Sequence, residues 1–168
     1  MKSALFLTIL LAACHTKPDA SAAEPAASKE VFTPPVCTDA DVCEKRCASG
    51  DREGCFERGN SLVGHDDSAA AQAFERACDL GLPLGCAHAG RMFEFAHGVA
   101  KDDAKAFVYY ADACDGGAEV GCYNEAILLE AGRGTSRDLD QARALYGRVC
   151  SAGSPTACDA AHRVAVKP

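Results

Sequence analysis

The sequence predicts an all-α solenoid built of disulfide-linked helix pairs. Three observations predict it. The spacing C-x7-C occurs four times, in "CASGDREGC" (Cys47–Cys55), "CDLGLPLGC" (Cys78–Cys86), "CDGGAEVGC" (Cys114–Cys122) and "CSAGSPTAC" (Cys150–Cys158), the last three at a period of 36 residues. The stretches between them carry apolar residues at helical offsets of three, four and seven. A period of this size with two helices per unit marks a stacked helical repeat.

At the N-terminus, residues 1–13 read as an export signal. Lys2 gives a short basic start, an apolar run extends from Ala4 to Ala12, and small residues precede Cys14. The ending Leu11-Ala12-Ala13-Cys14 resembles the bacterial lipobox, in which the cysteine is lipidated and becomes the new N-terminus. The alternative is an ordinary signal peptide with an incidental Cys14. By resemblance to the enterobacterial sorting rule, His15 rather than Asp after the cysteine favours the outer membrane. Residues 14–36 hold Pro18, Pro25, Pro34 and Pro35 among Ala and Ser, without periodicity. They read as a disordered tether reaching roughly 25 Å as a coil and about 70 Å when extended.

The repeat domain is expected over 37–168, with units starting near 47, 78, 114 and 150. With Cys14 assigned to lipid, ten cysteines remain. An even number in an exported chain points to disulfides. The spacing suggests Cys47–Cys55, Cys78–Cys86, Cys114–Cys122 and Cys150–Cys158, leaving Cys37 and Cys43 for each other. Cys43 could also compete for Cys55. Zinc is the rival reading, but no C-x2-C pair is present. Each C-x7-C bond closes a short loop worth roughly 2.5 kcal/mol in the chain-entropy model.

Within the units, "CFERGNSLVG", "CAHAGRMFEFAHG" and "CYNEAILLEAGRG" read as first helices. "DDSAAAQAFERAC", "DDAKAFVYYADAC" and "DLDQARALYGRVC" read as second helices. The second set shares one stripe: Ala70, Ala73, Phe74, Ala77; Ala106, Tyr109, Tyr110, Ala113; Ala142, Leu145, Tyr146, Val149. Asp66, Asp102 and Asp138 stand at its start as caps. Gly98, Gly132 and Gly134 mark the turn within a unit. The first unit runs 31 residues because "GHDDS" shortens that turn. "TDADVCEKRC" reads as a lone helix at one end and "CDAAHRVAVKP" as a closing helix at the other.

These residues carry a resemblance. "GCYNEAILLEAGRGTSRDLDQARALYGRVC" resembles a Sel-one-like repeat, a relative of the tetratricopeptide repeat, and the cysteines resemble its secreted, cysteine-rich Hcp-like subgroup. Gly90, Met92, Phe93, Gly98, Val99, Ala106, Tyr110, Ala113 and Cys114 fit the pattern. In the third unit Glu125, Ala126 and Thr135 depart from the family's leucine, glycine and valine. The resemblance covers about Thr38 to Val166. It implies a right-handed superhelix of antiparallel helix pairs and a protein-binding scaffold.

The formal net charge of −7 argues against nucleic acid, whose phosphates need a basic face. Counting from each second cysteine, positions three, six, seven and ten of the first helices are expected in the core, with one, five and eight opposite. That face holds Phe56, Asn60 and Val63; Ala87, Arg91 and Glu94; Tyr123, Ile127 and Glu130. Phe56, Asn60, Arg91, Glu94, Tyr123 and Ile127 are the candidate binding residues. The apolar members either pack against neighbouring units or form a groove.

Members of the cysteine-rich subgroup have been described as β-lactam-binding or weakly β-lactam-hydrolysing. Ser-x-x-Lys, Lys-Thr-Gly and paired-histidine zinc motifs are absent from this sequence. His15, His65, His88, His97 and His162 are scattered, and a surface or turn role is expected for each. The sequence therefore reads as a monomeric, cofactor-free, non-enzymatic scaffold on the bacterial envelope, facing the periplasm or the cell surface. It would be tethered by lipid and bind another envelope protein or peptide. A β-lactam-binding protein and a structural spacer are the alternatives.

Overall fold

A computed structural model describes residues 37 and 39–165. The signal, Cys14, His15 and the tether lie outside the described residues. The described residues form eight α-helices and no strand. They are α1 (Ala40–Ala48), α2 (Arg52–Leu62), α3 (Asp67–Asp79), α4 (Pro83–Glu94), α5 (Asp103–Asp115), α6 (Glu119–Ala131), α7 (Leu139–Ser151) and α8 (Pro155–Ala165). Each helix packs against the next along the chain, and α4 also meets α6. The result is an all-α solenoid of helix pairs.

Aspartates start five of the helices. Asp39, Asp51, Asp66, Asp102 and Asp138 each accept a hydrogen bond from a backbone N–H in the first turn of α1, α2, α3, α5 and α7. Helix α4 begins instead with Pro83, whose missing N–H costs nothing there. The helices before each turn end in one repeated device. Gly50, Gly81, Gly117 and Gly153 all have φ between +81° and +104°. The next N–H reaches back five residues in each case: Asp51 to Arg46, Leu82 to Ala77, Ala118 to Ala113 and Ser154 to Val149. This is the left-handed helix stop, and glycine adopts it without a Cβ penalty.

That stop turns the chain tightly enough for the disulfides. Cys47–Cys55, Cys78–Cys86, Cys114–Cys122 and Cys150–Cys158 join the last turn of one helix to the first turn of the next, with Cα atoms 4.2, 4.5, 4.4 and 4.7 Å apart. Cys37–Cys43 ties the start of the domain to α1. In the first three bonds a glycine before the second cysteine (Gly54, Gly85, Gly121) makes the close approach possible, and Ala157 takes that place in the fourth. A Cβ on Gly85 would meet Ala77 and Cys78, and one on Gly121 would meet Ala113 and Cys114.

The second helices bury their small stripe. Ala70, Phe74, Ala77, Ala106, Tyr110, Ala113, Ala142 and Tyr146 are fully enclosed, while Tyr109 and Leu145 are half-buried. Between units, Tyr109 Oη donates to Glu75 at 2.7 Å, and Lys105 Nζ bridges the same carboxylate while lying 3.9 Å over the Phe93 ring. Alanines let the helices approach, and the aromatics fill what remains.

The expectation for position ten fails. His65, Ala96 and Gly132 lie beyond the ends of α2, α4 and α6 and are exposed. Position ten falls past the last helical residue of each, Leu62, Glu94 and Ala131, so it cannot continue the buried stripe.

Candidate functional site

The first helices α2, α4, α6 and α8 form one row, and α4 lies between α3 and α5. Ala89 and Met92 pack with Ala70 and Phe74 on one side, while Phe93 packs with Ala106 and Tyr110 on the other. An arc this wide leaves few positions open. Position five is the most open: Asn60 and Arg91 are exposed, and Ile127 is half-buried.

The other two expected positions turn inward, except at Val63, which stays exposed at position eight of the first unit. At position one, Ala87 is buried, and the Phe56 ring sits 5.7 Å from Phe74 and 4.9 Å from His88. Tyr123 packs 5.4 Å from Tyr146. Both aromatics are half-buried in the seam between helices, and Tyr123 also lines a separate hollow of about 280 Å³ with Val120 and Thr156. At position eight, Glu94 is only 8% exposed, and its Oε2 accepts from Tyr110 Oη at 2.7 Å. Its Oε1 accepts from Arg133 Nη2 of the next unit at 2.5 Å. Burial and the Glu94 carboxylate together push the Tyr110 hydroxyl pKa up. Glu130 repeats the arrangement, accepting from Tyr146 Oη at 3.2 Å and from Arg163 Nη2 at 2.9 Å. A helical wheel misses this, because the glutamate leaves the open side to meet a buried hydroxyl.

What stays open is a row of hollows between successive first helices. One, of about 390 Å³, is lined by Asn60, Val63, Phe74, His88, Arg91 and His97 among others. The next, of about 320 Å³, is lined by Arg91, Glu94, Tyr110, Asn124, Ile127 and Arg133 among others. Residue for residue these are one site repeated: Asn60 corresponds to Arg91, Val63 to Glu94, Phe74 to Tyr110, His88 to Asn124, Arg91 to Ile127 and His97 to Arg133. Arg91 belongs to both hollows, so they run together as a groove along the row.

His88 was expected in a solvated place, but it is half-buried, with its ring 4.9 Å from both Phe56 and Phe74. Burial and the Arg91 charge lower its pKa. His97 is exposed at the mouth of the same hollow. Among the described residues no group of three or more His, Cys, Asp or Glu is placed to hold a metal ion.

Comparison with known proteins gives structural likeness only. No family model matches the chain. No curated protein is significantly similar to it in sequence. A Sel1 repeat protein from Oxalobacter formigenes superimposes with a TM-score of 0.65 at 26% identity, over 72% of this chain and 95% of that one. The cysteine-rich protein B of Helicobacter pylori does so with a TM-score of 0.57 at 29% identity, over 71% of this chain and 89% of that one. The fold is that of the Sel-one-like repeat. A protective antigen of uropathogenic Escherichia coli displaying this repeat fold matches with a TM-score of 0.67 at 23% identity, over 70% of this chain and 26% of that one.

Five disulfides fit the cysteine-rich subgroup of Sel-one-like repeats and an extracytoplasmic compartment, where such bonds persist. No described helix is long and apolar enough to cross a membrane. A Sel-one-like array of this kind is a repeat scaffold for protein interaction.

Of the six candidate binding residues, the array brings Asn60, Arg91, Glu94 and Ile127 to the groove. Phe56 and Tyr123 sit outside it, half-buried in the seams between helices. Val63, His88, His97 and Arg133 join the groove instead. The readable signal for them was the alignment of units, in which Val63, Glu94 and Glu130 vary together with Phe74, Tyr110 and Tyr146.

Proposed function

We propose that the protein is a lipid-tethered scaffold of the bacterial envelope that binds another envelope protein or peptide along the groove of its first helices. The observation that carries this reading is the repeated hollow, open at position five of successive units and shared through Arg91. Lipidation at Cys14, with a tether of residues 14–36, would hold the array off the membrane, and His15 favours the outer membrane. The staples fix the helix pairs before a partner arrives, so little conformational freedom is lost on binding. Charge alternates along the groove, from Arg91 to the paired Glu94 and Arg133, and such a pattern selects register more than it adds raw affinity.

Affinity capture from the native envelope tests the reading. The bait is the oxidised full chain, run beside a variant carrying Arg91→Glu and Ile127→Glu with an unchanged circular dichroism spectrum. A dominant partner is expected on the first bait and at least tenfold less of it on the second. Equal recovery on both baits rejects the groove as the binding face.

A further inference from the structure

The junctions between units are closed by one device, and the first of them lacks it. At the second junction Glu94 joins Tyr110 and Arg133; at the third, Glu130 joins Tyr146 and Arg163. Each closed junction therefore holds one inner-row glutamate, one phenol and one arginine. At the first junction Val63 stands where the glutamate belongs, 49% exposed, and Phe74 stands where the phenol belongs. The cations remain. Arg91 corresponds to Arg163 and His97 to Arg133, yet Arg91 makes no ion pair to a carboxylate among the described residues. The carboxylate that lines this hollow, Asp67, is turned to the loop, where its Oδ1 accepts from Gly64 N–H at 2.7 Å. The hollow is also the larger of the two, at about 390 Å³ against 320 Å³, with exposed Val63 as its apolar surface above the buried Phe74 and Met92.

We propose that this hollow takes the side chain of an internal glutamate from a partner segment, with an apolar residue beside it. The partner then supplies in trans the carboxylate that Glu94 and Glu130 supply in cis. The glutamate pairs with Arg91 at the mouth, and its apolar neighbour covers the exposed Val63. A guanidinium–carboxylate pair in a half-buried hollow is stronger than one at the open surface and favours the charged side chain over its amide. The proposal rests on the groove reading and specifies its first site.

The test uses the oxidised full chain on a solid support and two synthetic libraries of eight-residue peptides, blocked at both ends. One fixes Glu beside Leu at the centre and varies the flanks; the other has Gln for that Glu. Retention of the Glu library at least tenfold above the Gln library is expected. Two variants borrow residues from equivalent places in later units and so keep the fold: Val63→Glu with Phe74→Tyr, which closes the junction in cis, and Arg91→Ile. Each is expected to remove the preference, with thermal unfolding confirming that the variant is folded. Equal retention of the two libraries, no retention of either, or a preference that survives Val63→Glu with Phe74→Tyr overturns the proposal. Retention that appears only when the peptides end in a free carboxylate reassigns the hollow to chain termini and overturns it too. If the proposal fails while the capture contrast holds, the groove binds by other chemistry. If the capture contrast fails as well, the groove reading itself falls.

Discussion

Alanine at Gly134 is expected to destabilise the domain by about 3 kcal/mol or more, while alanine at Gly147, one helix further on, stabilises it by about 0.5–1 kcal/mol. The same methyl group is added in both cases. Gly134 has φ +69°, in the left-handed region, and a Cβ there would overlap the backbone of Asp103 and Ala104 at the first turn of α5. The turn of one unit is pressed against the start of the preceding unit's second helix, and neither backbone can yield. Gly98 makes the same approach to Asp67 and Ser68 at the start of α3, with φ +69°. Gly147 lies within α7, and a Cβ there meets nothing within 4 Å, so only the entropic penalty of glycine is removed. Thermal unfolding of the two variants, disulfides intact, should show shifts of opposite sign. A neutral Gly134→Ala would mean that the turn does not hold the units together.

Replacing Cys114 and Cys122 with alanine is expected to cost roughly 2.5 kcal/mol, measured by urea unfolding against the parent chain. The bond is buried, packs with Val149 and Ala157, and is reached from α7 by Arg148, whose Nη2 donates to the Cys114 carbonyl at 2.6 Å. Losing it frees the turn between α5 and α6 and loosens the fit of α7 and α8. In a chain whose second helices are lined with alanine, that is a large share of a marginal total. The same change at Cys37 and Cys43 should cost under about 1 kcal/mol, because that bond ties only the domain's first residues, which can open alone. Equal losses at the two bonds would contradict this picture of local stapling.

The helices were legible because several signals agreed at each end. Asp66, Asp102 and Asp138 sit at one register, the alanine–aromatic stripe follows, and a cysteine closes each stripe. The glycine in C-x2-G was also on the page four times. Its meaning lies in backbone geometry, where φ near +90° lets the next N–H reach back five residues. The groove was only half legible. A helical wheel assumes one buried side and one open side, which suits a helix packed on a single neighbour. Helix α4 is packed on α3 and α5 and touches α6, so positions one and eight are drawn in and position five alone stays open. Glu94 shows the limit most sharply. As one residue of one helix it reads as a solvated charge, and only beside Tyr110 and Arg133 does its burial make sense. The variation of Val63 with Phe74 carried that information, but it appears only when units are compared as whole junctions.

The central claim is that partners are held along the first-helix row and not on the outer face of the array. The most direct measurement is photo-crosslinking in the living cell, with a photoreactive side chain placed at Asn60 on the groove or at Val108 on α5, 56% exposed on a second helix. The account predicts a discrete crosslinked product from Asn60 that is absent from Val108 and that weakens when Arg91→Glu is added. Crosslinks of equal strength from both positions, or a product from Val108 alone, would contradict it.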